Sequence, residues 1–233
     1  SRLVGSLRII AAETNGAANG HLSWRDPDDP ETFWLNGDGV RFADVERDDL
    51  VHVDGEGRVI AGHRPVLAGA FSIHSAVLAA RPDVQSVLHV HAPASMAWST
   101  FGRVLDPIVQ DSCVFFEDQA VMNEFVVATD GQEGRAIAAT VGAKKAVVLT
   151  NHGLVTVGGS MDAAVAWMLR FERCADVQLR AEGAGRPGLI AAGDARHIAS
   201  LLGTERAGRA TFAAYWEGYL RRTAAVSSPG SVT

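Results

Sequence analysis

The feature that most restricts the fold is a short apolar strand that carries two histidines. Residues 84–91 alternate so that Val87, His89 and His91 fall on one face of a strand. Their neighbours are apolar or small, and a pair of neutral imidazoles is costly to bury in such surroundings without a partner. The pattern therefore predicts a sheet strand in which both rings share a specific polar partner.

The spacing of these two histidines suits a metal ion. Residues i and i+2 of a strand lie on the same side, about 6–7 Å apart at roughly 3.3 Å per residue. Two imidazoles at that separation can converge on one ion at about 2.0–2.1 Å each. On spacing alone, a purely structural histidine pair stays open as the alternative.

His152 is the candidate for a third ligand. The segment 150–153, Thr-Asn-His-Gly, follows an apolar run that reads as a buried strand, so the histidine lies where that strand ends. Gly153 is expected to permit the tight reversal that aims the ring back across the sheet. An ordinary turn histidine is the alternative that the local sequence leaves open.

Length, charge and cysteine content exclude several classes of protein. The 233 residues suffice for one sizeable α/β domain and are short for two. The formal net charge of −6 argues against nucleic acid as a partner, and no long apolar run predicts a membrane span. The first residues lack the pattern of a signal peptide, and Cys113 and Cys174 are expected to be free thiols. A cytoplasmic protein is the expectation.

Local patterns predict strands early in the chain and helices later. Short strands are expected at 21–24, 32–35, 50–53 and 58–60, with Asn36-Gly37 as a hairpin signal. Helices are expected at 72–80, at 131–141, after a Ser160 cap and at about 205–221. This order favours a layered α/β sandwich over residues 1–222 with a largely antiparallel or mixed sheet, followed by a disordered tail at 223–233.

Two histidine motifs carry a resemblance to a known family. The string 80–93, Ala-Arg-Pro-Asp-Val-Gln-Ser-Val-Leu-His-Val-His-Ala-Pro, is followed some sixty residues later by Val-Val-Leu-Thr-Asn-His-Gly-Leu at 147–154. Together these motifs resemble the class II aldolase/adducin-head family. The segments 20–23, 36–39 and 115–121 are similar to further family segments, so the resemblance spans about residues 1–220.

The resemblance implies a three-layer α/β/α sandwich with a mostly antiparallel or mixed central sheet, assembled as a homotetramer with sites between subunits. It implies that His89, His91 and His152 hold a divalent metal ion, with zinc expected and Fe(II) or manganese as alternatives. Such an ion polarises a substrate carbonyl as a Lewis acid. Adducin shows that the fold can persist without catalysis, although its head is expected to lack the complete histidine set.

The chain departs from the sugar-phosphate aldolases of that family at the positions that bind phosphate and transfer protons. Those enzymes carry Ser-Ser-Glu where this chain has Ala68, Gly69 and Ala70, so the acid/base carboxylate and two hydroxyls are missing. His21 replaces a phosphate-binding asparagine, and Asp38 replaces a turn serine with an anion that repels phosphate. A sugar-phosphate aldolase is therefore disfavoured.

Other positions of the resemblance supply the rest of a candidate site. Glu117 and His74 are the candidate catalytic residues, Glu117 as a replacement proton-handling group and His74 beside the metal or the substrate. His21, Asn36 and Gln119 are candidate substrate contacts. Gln119 stands where one branch of the family has histidine, and a glutamine side chain cannot take up a proton. For Glu117, an exposed acidic residue at a strand end is the alternative.

Three imidazoles without the aldolase glutamate suit two chemistries. The leading hypothesis is a metal-dependent lyase that acts on a small unphosphorylated hydroxy or keto acid, by decarboxylation or by retro-aldol cleavage. The alternative is a non-haem Fe(II) oxygenase of an aryl keto or hydroxy acid in secondary metabolism, because three neutral ligands leave open positions for substrate and dioxygen. A non-catalytic adducin-like module is a third hypothesis, which the complete histidine set disfavours.

Overall fold

One mixed sheet forms the centre of the protein. The computed structural model describes residues 1–124 and 131–227. Within them the strands are β1 (Asn19–Arg25), β2 (Phe33–Asn36), β3 (Leu50–Val53), β4 (Val59–Ala61), β5 (Ser86–His91), β6 (Gln119–Met122), β7 (Ala146–Leu149) and β8 (Gly153–Gly158). The sheet has eight strands in the order β4-β3-β2-β1-β5-β8-β7-β6. Neighbouring strands are antiparallel except β6 and β7, which are parallel.

Helices cover both faces of the sheet. They are α1 (Arg2–Glu13), α2 (Ala68–Ala80), α3 (Pro93–Ser99), α4 (Gly131–Val141), α5 (Met161–Ala184), α6 (Ala192–Leu202) and α7 (Glu205–Ser227). Apolar residues alternate along the strands, so Leu22 and Leu88 pack with α1 and α5, whereas Val87 and Val155 pack with α2 and α4. The predicted three-layer α/β/α sandwich with a mostly antiparallel, mixed sheet is confirmed.

The central position of β5 explains why its residues are buried. It lies between β1 and β8, and all its residues are buried except the half-buried His91. Leu88 and Val90 fill the layer beneath α5, so His89 and His91 necessarily point to the face covered by α2. The predicted alternation of this strand is confirmed.

The hairpin predicted at Asn36-Gly37 is wrong. Strands β2 and β3 do pair antiparallel, but residues 37–49 connect them and include a 3₁₀ turn, Arg47–Asp49. The reason lies in the side chain of Asn36, which faces β1 instead of closing a turn. Its Oδ1 accepts the Leu22 N–H at 2.9 Å, and its Nδ2 donates to the Gly20 carbonyl at 3.3 Å. The predicted hairpin between β3 and β4 is present.

The later part of the chain is largely helical, as predicted, with differences at its end. Helix α4 has the predicted bounds, and the Ser160 hydroxyl caps α5 by accepting the Ala163 N–H at 3.2 Å. Helix α7 continues to Ser227, beyond the boundary predicted at 222, and the Thr223 hydroxyl donates to the Tyr219 carbonyl within it. The rest of the predicted tail, residues 228–233, lies outside the described residues.

Two further expectations concern the cysteines and membranes. Cys113 and Cys174 are both free thiols and both buried. Among the helices of residues 1–124 and 131–227, none combines the length with the apolar content of a membrane span.

Candidate metal centre

Three histidines converge at one end of the central strands. Nε2 of His89 and Nε2 of His91 lie 2.9 Å apart. The ring centroid of His152 lies 4.8 Å from the centroids of both. One ring nitrogen from each residue lies within 4.8 Å of the others, so small side-chain adjustments would let all three converge on a single ion. The structure therefore brings together the three predicted ligands.

The backbone fixes the tautomer of His89. Its Nδ1 lies 3.1 Å from the Leu154 carbonyl oxygen, which only accepts hydrogen bonds, so Nδ1 carries the proton. The lone pair of Nε2 is then free and faces His91 and His152. A carbonyl partner of this kind is typical of histidines that bind metals.

The turn that presents His152 works differently from the prediction. Asn151, not Gly153, adopts the left-handed conformation that reverses the chain, with φ of 57°. Gly153 is required for a different reason, because a Cβ there would overlap the Val90 carbonyl oxygen. The absence of a side chain lets β8 approach β5 closely, and the turn places His152 beside His91.

All the imidazoles of this region are held neutral. Burial is the main cause that lowers the pKa of His89 and of His21 well below the ordinary value, and neighbouring histidines add to it. Burial also lowers the pKa of His91 and, together with His91, that of His152. The pKa of His74 falls to about 3, mainly through burial. Neutral imidazole is the form that binds a metal ion, so the donor set fits a divalent cation.

A chain of hydrogen bonds runs inward from the histidine cluster. His21 lies on β1 directly opposite His89. Nδ1 of His21 lies 2.6 Å from Nε2 of His74, and Nδ1 of His74 lies 2.5 Å from the Ser23 hydroxyl. His74 is completely buried, and its hydrogen bond to His21 joins it to a residue that lines the site. Ser23, which ends this chain, was not among the residues predicted for the site.

A cleft opens beside the cluster and supplies space for a small ligand. Its volume is about 330 Å³, and it is lined by Asn19, Gly20, His21, Asn36, Gly37, Asp38, Gly39, Val40, Arg41, Leu67, Ala70, His89 and His91. Ala70 faces it where the resembling aldolases carry the glutamate. Asn36 lies in its wall with both amide atoms bonded to β1, so its observed role is to hold the strand that carries His21.

Two of the predicted residues lie elsewhere in the chain. Glu117 precedes β6, at the end of the sheet opposite to the turn that carries His152. Its carboxylate is exposed and pairs with Arg196 at 2.6 Å, which lowers its pKa. Gln119 bonds in both directions with the backbone of Leu105, at 3.0 and 2.8 Å. Within one chain the structure does not bring either side chain to the histidines.

The fold and the histidine cluster together define a class of protein, an α/β/α sandwich with a candidate metal site at the ends of its central strands. Residues 6–179 match the family described as Class II Aldolase and Adducin N-terminal domain. The chain belongs to this family.

Two relatives indicate the branch of the family to which the chain is similar. The chain is 40% identical over 207 residues to "Decarboxylase NovR" of Streptomyces niveus, covering 87% of this chain and 76% of the relative. It is 39% identical over 207 residues to "4-hydroxy-3-prenylphenylpyruvate oxygenase/4-hydroxy-3-prenylbenzoate synthase" of Streptomyces roseochromogenus subsp. oscitans, covering 87% and 74%. These relatives support an enzyme of lyase or oxygenase type.

A solved structure shows the same architecture. It is described as "L-fuculose 1-phosphate aldolase from Glaciozyma antarctica PI12", with a TM-score of 0.88 and 36% sequence identity. The match covers 96% of this chain and 89% of that chain.

Proposed function

We propose that the protein is a metal-dependent carbon–carbon lyase for small unphosphorylated hydroxy or keto carboxylic acids, acting by decarboxylation or retro-aldol cleavage. The observation that carries the proposal is the convergence of His89, His91 and His152 beside a cleft in which Ala70 replaces the aldolase carboxylate. Zinc is the ion we favour, with Fe(II) and manganese as alternatives. When bound, a divalent ion supplies Lewis-acid stabilisation of negative charge on a substrate oxygen.

His21 is the side chain that we propose to contact the substrate. It lines the cleft next to His89, with 5.0 Å between the ring centroids. Since Nδ1 is bonded to His74, Nε2 is the nitrogen left for a substrate oxygen. Burial keeps the ring neutral, so His21 offers a directed hydrogen bond without repelling the metal ion.

His74 is a positioning residue in this proposal. If Nδ1 of His74 donates to Ser23, Nε2 of His74 accepts from His21, and His21 faces the substrate with a lone pair. If the Ser23 hydroxyl donates to His74, both rings adopt the other tautomer. His21 then faces the substrate with an N–H. The two arrangements are neutral, which suits buried rings, and they let one residue serve as acceptor or donor to the reacting oxygen.

We keep Glu117 as a candidate catalytic residue only for a cleft on a neighbouring subunit. Its ion pair with Arg196 lies on the surface of the same chain and far from the cleft along the sheet. A homotetramer with sites between subunits, which we also propose, is the arrangement in which such a residue reaches a neighbouring cleft. The same holds for Gln119.

A non-haem Fe(II) oxygenase is the second candidate function. The oxygenase relative, at 39% identity, favours it, and so does a ligand set of three neutral imidazoles. Such a set leaves more positions open on the ion than a set with a carboxylate would. Its substrate would be an aryl keto or hydroxy acid.

Metal analysis and gas exchange separate the two candidates. The protein is purified without added metal, its metal content is measured, and keto and hydroxy acids are screened with and without oxygen. Zinc or manganese with product formed anaerobically supports the lyase. Iron with one dioxygen consumed per turnover supports the oxygenase. Protein that binds neither ion nor acid contradicts both.

A further inference from the structure

Glu133 is a buried carboxylate on the face of the sheet that α2 and α4 cover. It lies in the first turn of α4, and only 3% of its surface is exposed. A carboxylate is rarely buried to this degree. Removing its charge from water costs on the order of several kcal/mol unless specific partners stabilise the charge. Its position is therefore informative.

Close packing between two helices determines where Glu133 lies. The next residue, Gly134, packs so tightly on α2 that a Cβ there would overlap the Ser72 carbonyl oxygen. The Gly134 N–H also donates to the Ser72 hydroxyl at 3.2 Å. These contacts pin the first turn of α4 against the layer that covers the histidine face of the sheet.

Glu133 and the metal ligand His152 border the same small void. It is too small to hold a water molecule, and its lining is Met122, Glu124, Glu133, Ile137, Leu149, Thr150 and His152. Three of the seven are apolar, and Met122 and Leu149 are buried, so charge in this void is poorly screened. The cleft lined by His89 and His91 shares no lining residue with this void.

We propose that Glu133 positions His152 by accepting the ring N–H that faces away from the metal ion. The inference rests on the proposed metal centre. Ligating histidines generally give their second ring N–H to a carboxylate or carbonyl, which fixes the ring and strengthens the ligating nitrogen. His89 has such a partner in the Leu154 carbonyl. Within the described residues, Glu133 is the buried carboxylate that borders the void lined by His152.

The test measures binding of Co²⁺ to the full chain with a competing chelator, together with the visible spectrum of the bound ion. Glu133→Met keeps the length of the side chain and removes the acceptor, so affinity should fall about 10–100-fold and the spectrum should shift. Glu133→Gln keeps an acceptor without charge, and a smaller loss is expected. Glu124→Gln is the matched control, because Glu124 lines the same void but is exposed, and it should bind Co²⁺ like the wild type.

The outcomes separate this inference from the metal centre itself. A folded Glu133→Met protein with wild-type affinity and spectrum would overturn the role of Glu133 and leave the metal centre intact. If that variant does not fold, Glu133→Gln decides, and unchanged affinity and spectrum there would overturn the role too. A wild-type protein that binds no Co²⁺ would overturn the metal centre and this inference together.

Discussion

His21 on β1 is the direct cross-strand partner of His89 on β5, and their ring centroids are 5.0 Å apart. The register of this strand pair therefore sets the distance between a proposed substrate contact and a proposed metal ligand. A slip by one residue would turn His21 to the other face of the sheet. Gly20 belongs to the same arrangement, because a Cβ there would overlap the His89 carbonyl oxygen.

Replacing His152 by alanine should abolish tight metal binding and leave the fold intact. The residue lies in a half-buried turn on a sheet whose core does not include it, so the metal is not needed for folding. Metal content after dialysis and the circular dichroism spectrum are the measurements. His89→Ala should also lose the ion, but it additionally opens a cavity, because His89 is 2% exposed.

The matched control is His197→Ala, which removes an exposed histidine on α6. It should keep the wild-type metal content. A His152→Ala protein that retains a full equivalent of metal would show that the ligand assignment is wrong.

The metal-free protein should become less stable as the pH is lowered, because of His74. The unfolded chain binds a proton at this residue below about pH 6.5, whereas burial holds the folded pKa at about 3. Between these values the unfolded state binds the extra proton, so the free energy of unfolding should decrease by about 1.4 kcal/mol for each pH unit lost. Above about pH 6.5 this group contributes no pH dependence.

Urea unfolding followed by circular dichroism between pH 4.5 and 6.5, with a chelator present, measures that slope. His74→Gln retains hydrogen-bonding groups but does not titrate. The slope of its free energy of unfolding against pH should therefore be smaller by the contribution of the one proton that His74 binds in the unfolded chain. The exposed His197→Gln should keep the slope of the wild type. Equal slopes for His74→Gln and the wild type would contradict the prediction.

The sequence predicts features that depend on neighbouring residues better than features that depend on contacts between residues distant along the chain. The alternation of residues 84–91 is local, and it correctly placed both strand histidines on one face. The turn at His152 was located but its geometry was not, since the space for Gly153 is set by Val90 on another strand. Glu133 gave no signal, because its burial follows from the packing of α4 on α2, between residues sixty positions apart.

The protein should be a homo-oligomer, and a tetramer is the expected form. Several large apolar side chains are exposed on a single chain, among them Ile60 at 55%, Phe101 at 53% and Leu189 at 65%. Ile60 lies on β4, an edge strand whose outer side has no partner strand in the described sheet. Light scattering at micromolar concentration should give a mass well above 24.6 kDa, and a mass near that value would contradict the prediction.

Sugar phosphates should bind the metal-loaded protein much more weakly than unphosphorylated hydroxy or keto acids. A phosphate needs several donors around it, often backbone N–H groups. In the loop that lines the cleft these groups already have partners. The Gly37 N–H donates to the Asp49 carbonyl at 2.8 Å, the Asp38 N–H to the Pro65 carbonyl at 2.9 Å, and the Gly39 N–H to the Asp38 carboxylate at 2.8 Å.

The expected difference in affinity is large. Each missing charge-assisted hydrogen bond costs about 1.5–3 kcal/mol, and about 1.4 kcal/mol corresponds to a factor of ten. Loss of two such bonds would therefore weaken a phosphorylated ligand by roughly two to four orders of magnitude. Calorimetric titration with phosphoglycolohydroxamate and with a chelating keto acid makes the comparison, and inorganic phosphate serves as the control for non-specific anion binding. Micromolar binding of the phosphorylated ligand without binding of the acid would contradict the proposed substrate class and favour a sugar-phosphate aldolase, the activity described for the solved structure at 36% identity.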